Sequence, residues 1–387
     1  MNIQELDKKY IAGTYSRFPV TLVSGKGSVV KDDTGKEYID LGAGIAVTSF
    51  GISDDCWKNA VVSQLDKLQH TSNLYYTEPC AILAEKLCTR TGMKKVFFSN
   101  SGAEANECAI KAARKYAAER KGEDSYTIIT LKNSFHGRTL TTLAATGQDR
   151  FHQLFKPLTP GFVHAQPGCM EEIEALGKQH ALAGIMIECV QGEGGVIALD
   201  AGYVRDLAAY AKENDLVLIV DEVQTGNGRT GMLYGYMNYG IEPDVVSTAK
   251  GLAGGLPLGA TMLGDKVQDV FGPGDHGSTF GGNPISCAAA ISVLDRIDDS
   301  LLEDVRRKSK YVFNCLSSAP GIESVDGMGL MIGIKTVKPV SQVIAACMEK
   351  GVLCLTAKDK IRILPALNIP DALLEKGISV IKESCKE

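Results

Sequence analysis

The 387-residue sequence has no run of basic residues that could follow a phosphate backbone. Its 41 basic and 46 acidic residues are spread along the chain and give a net charge of −5, which disfavours nucleic acid as a partner. Long apolar runs are also missing. The longest uncharged stretch, residues 277–294, contains Ser, Thr, Asn, Pro and several Gly, so it does not suit a membrane span.

The eleven cysteines include no C-x-x-C pair. The closest pairs, Cys347 with Cys354 and Cys80 with Cys88, are too far apart for a zinc knuckle, so the sequence predicts no metal site. This pattern favours free thiols in a reducing compartment over a disulfide framework. The first ten residues, MNIQELDKKY, carry charges where a signal peptide has an apolar core. We therefore expect a cytoplasmic protein.

The common glycine motifs of nucleotide-binding proteins are absent as well. In GMGLMIG, residues 327–333, the third glycine comes one position too late for G-x-G-x-x-G, and no helical pattern follows it. No G-x-x-x-x-G-K-[ST] motif occurs. The sequence thus disfavours a nicotinamide-dependent dehydrogenase and a P-loop nucleotidase.

What the sequence does contain is an alternation of strand-like and helix-like segments. Short continuous apolar runs predict strands that are covered on both faces. These runs are residues 94–100, 126–131, 183–188, 216–222 and 244–248. Helical patterns at 103–120 and 201–215 lie between them, which predicts right-handed crossovers and a mostly parallel sheet in an α/β fold.

The two ends of the chain differ from this pattern. Residues 28–41 place an Asp-Thr-Gly turn between two strand-like runs and predict a hairpin. Beyond about residue 305, further strand-like and helix-like segments indicate an α+β unit. We therefore predict a small domain from residues 1–45 and 305–387, and a large domain from residues 46–304.

Reactive and charged side chains follow the predicted strands, where parallel α/β sheets bind ligands. Ser101 and Gly102 begin a helix and offer N–H groups to an anion. Asp221 ends the strand 216–222, and Glu188 ends the strand 183–188. Lys250 stands between the strand 244–248 and a glycine-rich tail predicted to be flexible.

Each of these residues alone is also compatible with a structural role. Ser101 and Asp221 could be a helix cap and a loop cap, and Lys250 could reach the surface along its aliphatic stem. Together, an anion seat, a carboxylate and a lysine are the groups that pyridoxal phosphate requires for its phosphate, its pyridine nitrogen and its aldehyde.

Six ordered motifs resemble those of the class III aminotransferases, which use pyridoxal 5'-phosphate. They are SGAEANE (101–107), FHGRT (135–139), DEVQTGNGRTG (221–231), PDVVSTAKGLAGGLPLGA (243–260), HGSTFGGNP (276–284) and IRILPAL (361–367). The resemblance runs from about Tyr15 onward and is strongest to the branch that acts on acetylornithine. It implies the fold type I architecture of these enzymes, with a large cofactor-binding domain and a smaller α+β domain.

The resemblance also implies a set of cofactor-binding residues. Lys250 resembles the lysine that bonds covalently to the cofactor and later carries the proton, and Asp221 resembles the carboxylate that faces the pyridine nitrogen. Phe135 would stack on the ring, Gln224 would bond its phenolic oxygen, and Thr279 would reach the phosphate of a neighbouring subunit in a homodimer. The full set is Ser101, Gly102, Ala103, Phe135, Asp221, Glu222, Val223, Gln224, Lys250 and Thr279.

Substrate recognition is implied for two arginines. In the family, the arginine at the Arg138 position binds the carboxylate distant from the reacting amine, and the one at the Arg362 position binds the α-carboxylate of glutamate or 2-oxoglutarate. Glu193 resembles the residue that pairs with Arg362 in one half-reaction and moves away in the other. Ser278 and Tyr15 complete the substrate-binding set.

These expectations lead to one favoured reaction and several alternatives. The favoured reaction transfers the terminal amino group of N-acetylornithine to 2-oxoglutarate in arginine synthesis. Other class III enzymes act on succinylornithine, ornithine, 4-aminobutyrate or succinyl-diaminopimelate, and no single residue distinguishes an acetyl from a succinyl group. An aminomutase and a pyridoxal-binding regulator without turnover are further alternatives. Ala366 and Asn227 depart from the family pattern, which has proline and an apolar residue there.

Overall fold

The computed structural model describes residues 2–386. The strands are, in chain order, β1 (Leu22–Lys26), β2 (Val29–Asp32), β3 (Glu37–Asp40), β4 (Lys95–Ser99), β5 (Thr127–Leu131), β6 (Phe162–Ala165), β7 (Leu182–Ile187), β8 (Val190–Gln191), β9 (Ile197–Ala198), β10 (Val217–Asp221), β11 (Val245–Thr248), β12 (Gly259–Leu263), β13 (Ile322–Met328), β14 (Met331–Thr336), β15 (Val352–Leu353), β16 (Leu355–Ala357) and β17 (Lys360–Ile363).

The α-helices connect and cover these strands. They are, in chain order, α1 (Ile3–Tyr10), α2 (Ala43–Ala46), α3 (Asp55–Leu65), α4 (Glu78–Thr91), α5 (Gly102–Lys121), α6 (Leu140–Ala145), α7 (Met170–Gln179), α8 (Ala201–Glu213), α9 (Pro284–Leu294), α10 (Asp299–Leu316), α11 (Val340–Glu349) and α12 (Asp371–Lys386). Three short 3₁₀ turns lie at Asp149–Phe151, Gly235–Asn238 and Lys250–Leu252.

All five strands predicted from apolar runs lie in one seven-stranded sheet of order β4-β12-β11-β10-β7-β5-β6. Only β12 runs antiparallel to its neighbours, β11 and β4. The prediction of a mostly parallel sheet is therefore confirmed. Side chains of β10 alternate between the two faces: Val217 and Ile219 pack against α5, whereas Leu218 and Val220 pack into the core on the other side.

The glycine-rich tail after Lys250, which the sequence predicts to be flexible, ends in a strand. Its last residues begin β12, where Ala260 pairs with Phe98. A Cβ atom on Gly259 would lie 2.4 Å from the carbonyl oxygen of Ser101. Glycine is needed there because the backbone of β12 passes close to the start of α5, and this contact fixes residues 99–101 against the strand.

The two ends of the chain meet in a second region. The predicted hairpin is confirmed, since β2 pairs antiparallel with β3. Its strand β3 then pairs in parallel with β15, with Ile39 opposite Val352. A second hydrophobic core contains Ile39 and Leu41 together with residues from 312 to 385. Helix α10 begins against the first core and ends in the second, and the exact domain boundaries stay predictions.

Within residues 2–386, the helices are too short or too polar to cross a membrane. All eleven cysteines lie in this part of the chain and are free thiols. Among the same residues, no cluster of His, Cys, Asp and Glu side chains could hold a metal ion.

Candidate active site

A cavity of about 600 Å³ opens at the carboxyl ends of the central strands, where β4, β5, β7, β10 and β11 end. This is the edge at which a parallel sheet gathers the residues that follow its strands. Most of the predicted site residues line this cavity: Tyr15, Ser101, Gly102, Ala103, Phe135, Arg138, Glu193, Asp221, Val223, Gln224 and Lys250.

Lys250 lies two residues after β11, at the start of a 3₁₀ turn. Its φ of 44° is in the left-handed region, which a lysine rarely adopts and which surrounding contacts must maintain. Removal from bulk water lowers the pKa of its amine, Arg362 lowers it further, and Glu193 opposes this shift. Because the neutral amine is the nucleophilic form, this environment suits a lysine that attacks an aldehyde.

Asp221 is the last residue of β10 and is 4% exposed. Its Oδ2 accepts hydrogen bonds from Asn106 Nδ2 at 2.7 Å and His136 Nδ1 at 2.8 Å, and its Oδ1 accepts one from the Val223 N–H at 3.0 Å. A carboxylate offers about four acceptor positions, so one remains for a further N–H donor in the cavity.

Asn106 and His136 were not predicted as site residues, although both lie inside motifs that were. Asn106 also donates to the His136 carbonyl oxygen, and its own Oδ1 accepts from Ser247 Oγ. Both side chains are at most 2% exposed. Asn106 lies on the buried face of α5 among alanines. Buried polar side chains are almost always hydrogen-bonded, so an asparagine at this position in the sequence indicates a hydrogen-bonding partner in the fold.

Residues 101–103 form the predicted anion seat at the start of α5. Ser101 caps the helix, with its Oγ accepting from the Glu104 N–H at 3.2 Å. Gly102 and Ala103 are the first residues of the helix, so their N–H groups have no intrahelical acceptor. A Cβ on Gly102 would lie 2.6 Å from Val223 Cγ1, and a larger residue would push the seat away from Asp221 and its neighbours.

Glu188 follows β7 and lines the cavity with 6% exposure. Its Oε2 accepts from the Phe135 N–H at 2.9 Å, and its Oε1 accepts from the Gly192 N–H at 3.4 Å. Burial and, to a smaller extent, the Asp221 carboxylate raise the pKa of this carboxyl to about 7, while His136 opposes the shift. Glu188 thereby connects the loop that carries the Phe135 ring to the loop that carries Glu193.

Arg362, on β17, is 3% exposed and reaches the edge of the cavity. Its Nη1 donates to Glu193 Oε1 at 2.5 Å and to Gln224 Oε1 at 3.2 Å, whereas its Nε is buried without a partner among residues 2–386. Glu193 lies between Gly192 and Gly194, and its side chain is 31% exposed. The guanidinium therefore has unused donor capacity and a removable partner.

The segment after Arg362 is fixed despite the alanine at 366. The Leu364 N–H donates to the Leu41 carbonyl oxygen at 2.6 Å, and the Pro365 carbonyl oxygen accepts from the buried guanidinium of Arg229. Ala366 itself is 1% exposed. The backbone next to Arg362 is thus bonded from both sides.

Arg138 and Tyr15 occupy the open side of the cavity, and both are exposed. The Arg138 guanidinium lies 4.1 Å from the centre of the Phe151 ring and 5.4 Å from that of Phe135. Stacking on two rings orients a guanidinium while its N–H groups stay available to a carboxylate.

Four predicted residues do not line this cavity: Arg362, which bonds the lining residues Glu193 and Gln224, and Glu222, Ser278 and Thr279. The Glu222 carboxylate accepts from Thr225 Oγ1 and from the N–H groups of Gly235 and Tyr236, so it holds a neighbouring turn and does not reach the cavity. Ser278 accepts from Asn100 Nδ2 at 3.1 Å, beside the anion seat. Thr279 is exposed on the same loop and does not line this chain's cavity.

These features define a class of enzyme. A family model described as "Aminotransferase class-III" matches residues 10–384, so the chain belongs to that family and is a pyridoxal-phosphate-dependent aminotransferase of fold type I.

Individual relatives have more specific names. The acetylornithine aminotransferase of Haemophilus ducreyi is 49% identical over 387 residues, covering 100% of this chain and 98% of the relative. That of Caldanaerobacter subterraneus subsp. tengcongensis is 42% identical, covering 98% of each.

Two solved structures have the same fold. Ornithine aminotransferase from Toxoplasma gondii ME49 has a TM-score of 0.94 and 30% identity, covering 99% of this chain and 94% of that one. N-acetylornithine aminotransferase from Stenotrophomonas maltophilia K279a has a TM-score of 0.85 and 32% identity, covering 98% and 97%.

The cavity fits the family's cofactor. It combines a partly buried amine of lowered pKa at Lys250, one remaining acceptor position on Asp221, and the N–H groups at the start of α5. Gly102 leaves room there, because an added Cβ would collide with Val223. These groups have the chemistry to hold an aldehyde carbon, a pyridine N–H and a phosphate. The individual roles of the residues stay predictions.

Proposed function

We propose that this chain transfers the terminal amino group of N2-acetyl-L-ornithine to 2-oxoglutarate, giving N-acetyl-L-glutamate 5-semialdehyde and L-glutamate, in arginine synthesis. The observation that carries the proposal is a cavity lined by the Lys250 amine and the exposed Arg138, with a second guanidinium, that of Arg362, bonded to the lining residue Glu193. The 49% identity to a protein named acetylornithine aminotransferase supports it.

The bound cofactor would supply an aldehyde that accepts the amino group and a ring that takes up electrons released at the substrate carbon. Asp221 would keep the pyridine N–H protonated, because an opposite charge in contact favours the charged form. Its two donors, Asn106 and His136, hold the carboxylate toward the cavity. Lys250 Nζ would take a proton from Cδ of acetylornithine and later return one to Cα of the nascent glutamate.

The two arginines explain how one cavity accepts two different substrates. Acetylornithine presents a terminal amine and one distant carboxylate, which Arg138 would bind while Glu193 stays on Arg362. 2-Oxoglutarate has a carboxylate at each end, so its α-carboxylate would displace Glu193 and bind Arg362 while its second carboxylate binds Arg138. The glycines on both sides of Glu193 permit that movement.

A substrate comparison tests the proposal. We expect kcat/KM for acetylornithine to exceed that for ornithine and for 4-aminobutyrate, with 2-oxoglutarate as acceptor. The kcat/KM for succinylornithine, compared with that for acetylornithine, measures how strongly the acyl group affects the reaction. The second candidate is transfer from free ornithine, because the similar Toxoplasma gondii structure is named an ornithine aminotransferase. A higher kcat/KM for free ornithine would assign the chain to that reaction. No transamination of any of these amines would overturn the proposal.

We further infer that the active unit is a homodimer in the cytoplasm. Thr279 is exposed and lies on the loop whose neighbour Ser278 bonds Asn100 beside the anion seat. An exposed hydroxyl outside its own cavity is suited to reach the phosphate in a second copy. The free thiols support a reducing compartment. Sedimentation of the purified protein tests the dimer, and a monomer with full activity would contradict it.

A further inference from the structure

Asn227 is a buried polar residue for which the proposed reaction has no role. It lies in the turn after β10 and is 3% exposed. Its side-chain Nδ2 donates to Thr248 Oγ1 at 3.1 Å and to the Ala249 carbonyl oxygen at 3.2 Å. These acceptors belong to the two residues immediately before Lys250, so the amide is bonded to the segment that carries the reactive amine.

The backbone at Lys250 is held in an uncommon conformation. Lys250 has a φ of 44°, in the left-handed region that a lysine rarely adopts. The Ala249 carbonyl oxygen also accepts from the Leu252 N–H at 2.9 Å, which closes the 3₁₀ turn. Uncommon backbone conformations at active sites persist where surrounding contacts fix them, and Asn227 supplies the second bond to this carbonyl.

Asn227 is not explained by packing alone. Its Oδ1 is buried and has no hydrogen-bond partner among residues 2–386, which is unfavourable for stability. An apolar side chain of the same size would avoid that unfavourable contribution, yet it could not bond Ala249. Asn227 also has a φ of 58°, a conformation that asparagine tolerates better than most residues.

We propose that Asn227 is a positioning residue that holds the Ala249–Lys250 peptide so that the Lys250 amine is directed into the cavity. This inference rests on the proposed role of Lys250 as the lysine that binds the cofactor. It assigns to Asn227 an effect on how fast the amine bonds to the aldehyde, and no effect on how tightly the cofactor's phosphate and ring are held.

Two variants separate the side chain from the backbone. Asn227→Gly keeps a left-handed backbone and removes the amide, and Asn227→Asp keeps the shape but replaces the donor with an acceptor facing two oxygens. The matched control is Asn238→Asp, because Asn238 Nδ2 donates to Thr230 Oγ1 and to the Gly235 carbonyl oxygen at 3.1 Å each, in the following turn, without contacting residues 248–250.

The test uses the full-length protein stripped of cofactor and two probes. Pyridoxal 5'-phosphate can bond to Lys250, and the rate of that bonding is followed by visible absorbance. Pyridoxine 5'-phosphate lacks the aldehyde, so its Kd reports only the phosphate seat and Asp221. We expect both Asn227 variants to slow covalent attachment about tenfold, to leave the Kd for pyridoxine 5'-phosphate within about twofold, and Asn238→Asp to change neither quantity.

Each other outcome overturns the inference. Attachment rates within twofold of the unaltered protein would show that Asn227 does not position Lys250. A parallel loss of affinity for pyridoxine 5'-phosphate would show general damage to the cavity. Borohydride reduction of the unaltered protein serves as a separate check: labelling at a lysine other than Lys250 would refute the proposed role of Lys250, whereas labelling at Lys250 with unchanged rates would refute only the inference about Asn227.

Discussion

Removing the Glu193 carboxylate should change the two half-reactions in opposite directions. In Glu193→Ala, Arg362 keeps its 3.2 Å bond to Gln224 Oε1, while its buried Nε stays without a partner among residues 2–386. The permanently available guanidinium should attract the α-carboxylate of glutamate. The half-reaction with acetylornithine should slow, because its α-carboxylate can then bind Arg362 and take the terminal amine away from Lys250.

The contact distance and burial determine how large the effect should be. A charge-assisted hydrogen bond contributes about 1.5–3 kcal/mol. The Arg362 side chain is 4% exposed and the Glu193 side chain 31%, so water partly screens the carboxylate and the lower half of that range applies. A difference of about 1.5–2 kcal/mol corresponds to a change of about 10- to 30-fold in the ratio of the two half-reaction rates.

Single-turnover absorbance of each half-reaction measures this ratio directly. Glu193→Gln should give a smaller change in the same direction, because an amide oxygen is a neutral acceptor. Arg362→Met should give the reverse, with glutamate affected more than acetylornithine. Glu37→Gln, which breaks an exposed ion pair with Lys31 outside the cavity, is the control. Equal factors for both half-reactions in Glu193→Ala would refute the reasoning, since a purely structural loop residue would act on both alike.

Three further predictions concern the cofactor residues. The rate of cofactor attachment to Lys250 should rise with pH, with the midpoint of the rise below the ordinary lysine pKa of 10.5, because burial favours the neutral amine. Glu193→Gln should lower that midpoint further, since the Glu193 carboxylate raises the pKa of the amine. A midpoint at or above 10.5 would contradict the lowered pKa. Asp221→Ala should retain cofactor and slow each half-reaction by about 10²-fold or more in stopped-flow assays, and full activity would exclude its role. Gly102→Ala should weaken equilibrium binding of pyridoxine 5'-phosphate, because the new Cβ would meet Val223 at 2.6 Å, and an unchanged Kd would show that residues 101–103 are not the phosphate seat.

Five strands of the large sheet could be predicted from short apolar runs, and four of them, β5, β7, β10 and β11, are buried along their whole length. Strand β6, which is only partly buried, and strand β12 were not predicted. The glycines that lead into β12 indicate flexibility until the close approach of Gly259 to Ser101 is known. The helix α5 was predicted from its pattern, but the bond of Asn106 to Asp221 joins residues that only the folded sheet brings together.

Glu222 is a prediction that the geometry of a strand could have corrected. Consecutive residues at a strand end point to opposite faces. Because Asp221 faces the cavity, Glu222 faces the other side, where Thr225 and the turn at 235–236 bind it. The burial of its carboxyl raises its pKa to about 7, as it does for Glu188, so a shifted pKa alone does not distinguish the residue beside the cavity from the one behind it. The proposed contact of Thr279 with a second copy depends on a surface that one chain's sequence does not describe.

The parallel pairing of β3 with β15 has a consequence for the order in which this enzyme forms during synthesis. Ile39 is made long before its partner Val352, and the strand that carries Arg362 follows Val352. The residues around Lys250 and Asp221 all precede that point. A nascent chain can thus make the segments around Lys250 and Asp221 first. Strand β3 gains its partner only when residues 352–353 are made, and the strand that carries Arg362 then pairs with β14 and β16. The proposed contact of Arg362 with an α-carboxylate is therefore among the last parts of the site to form.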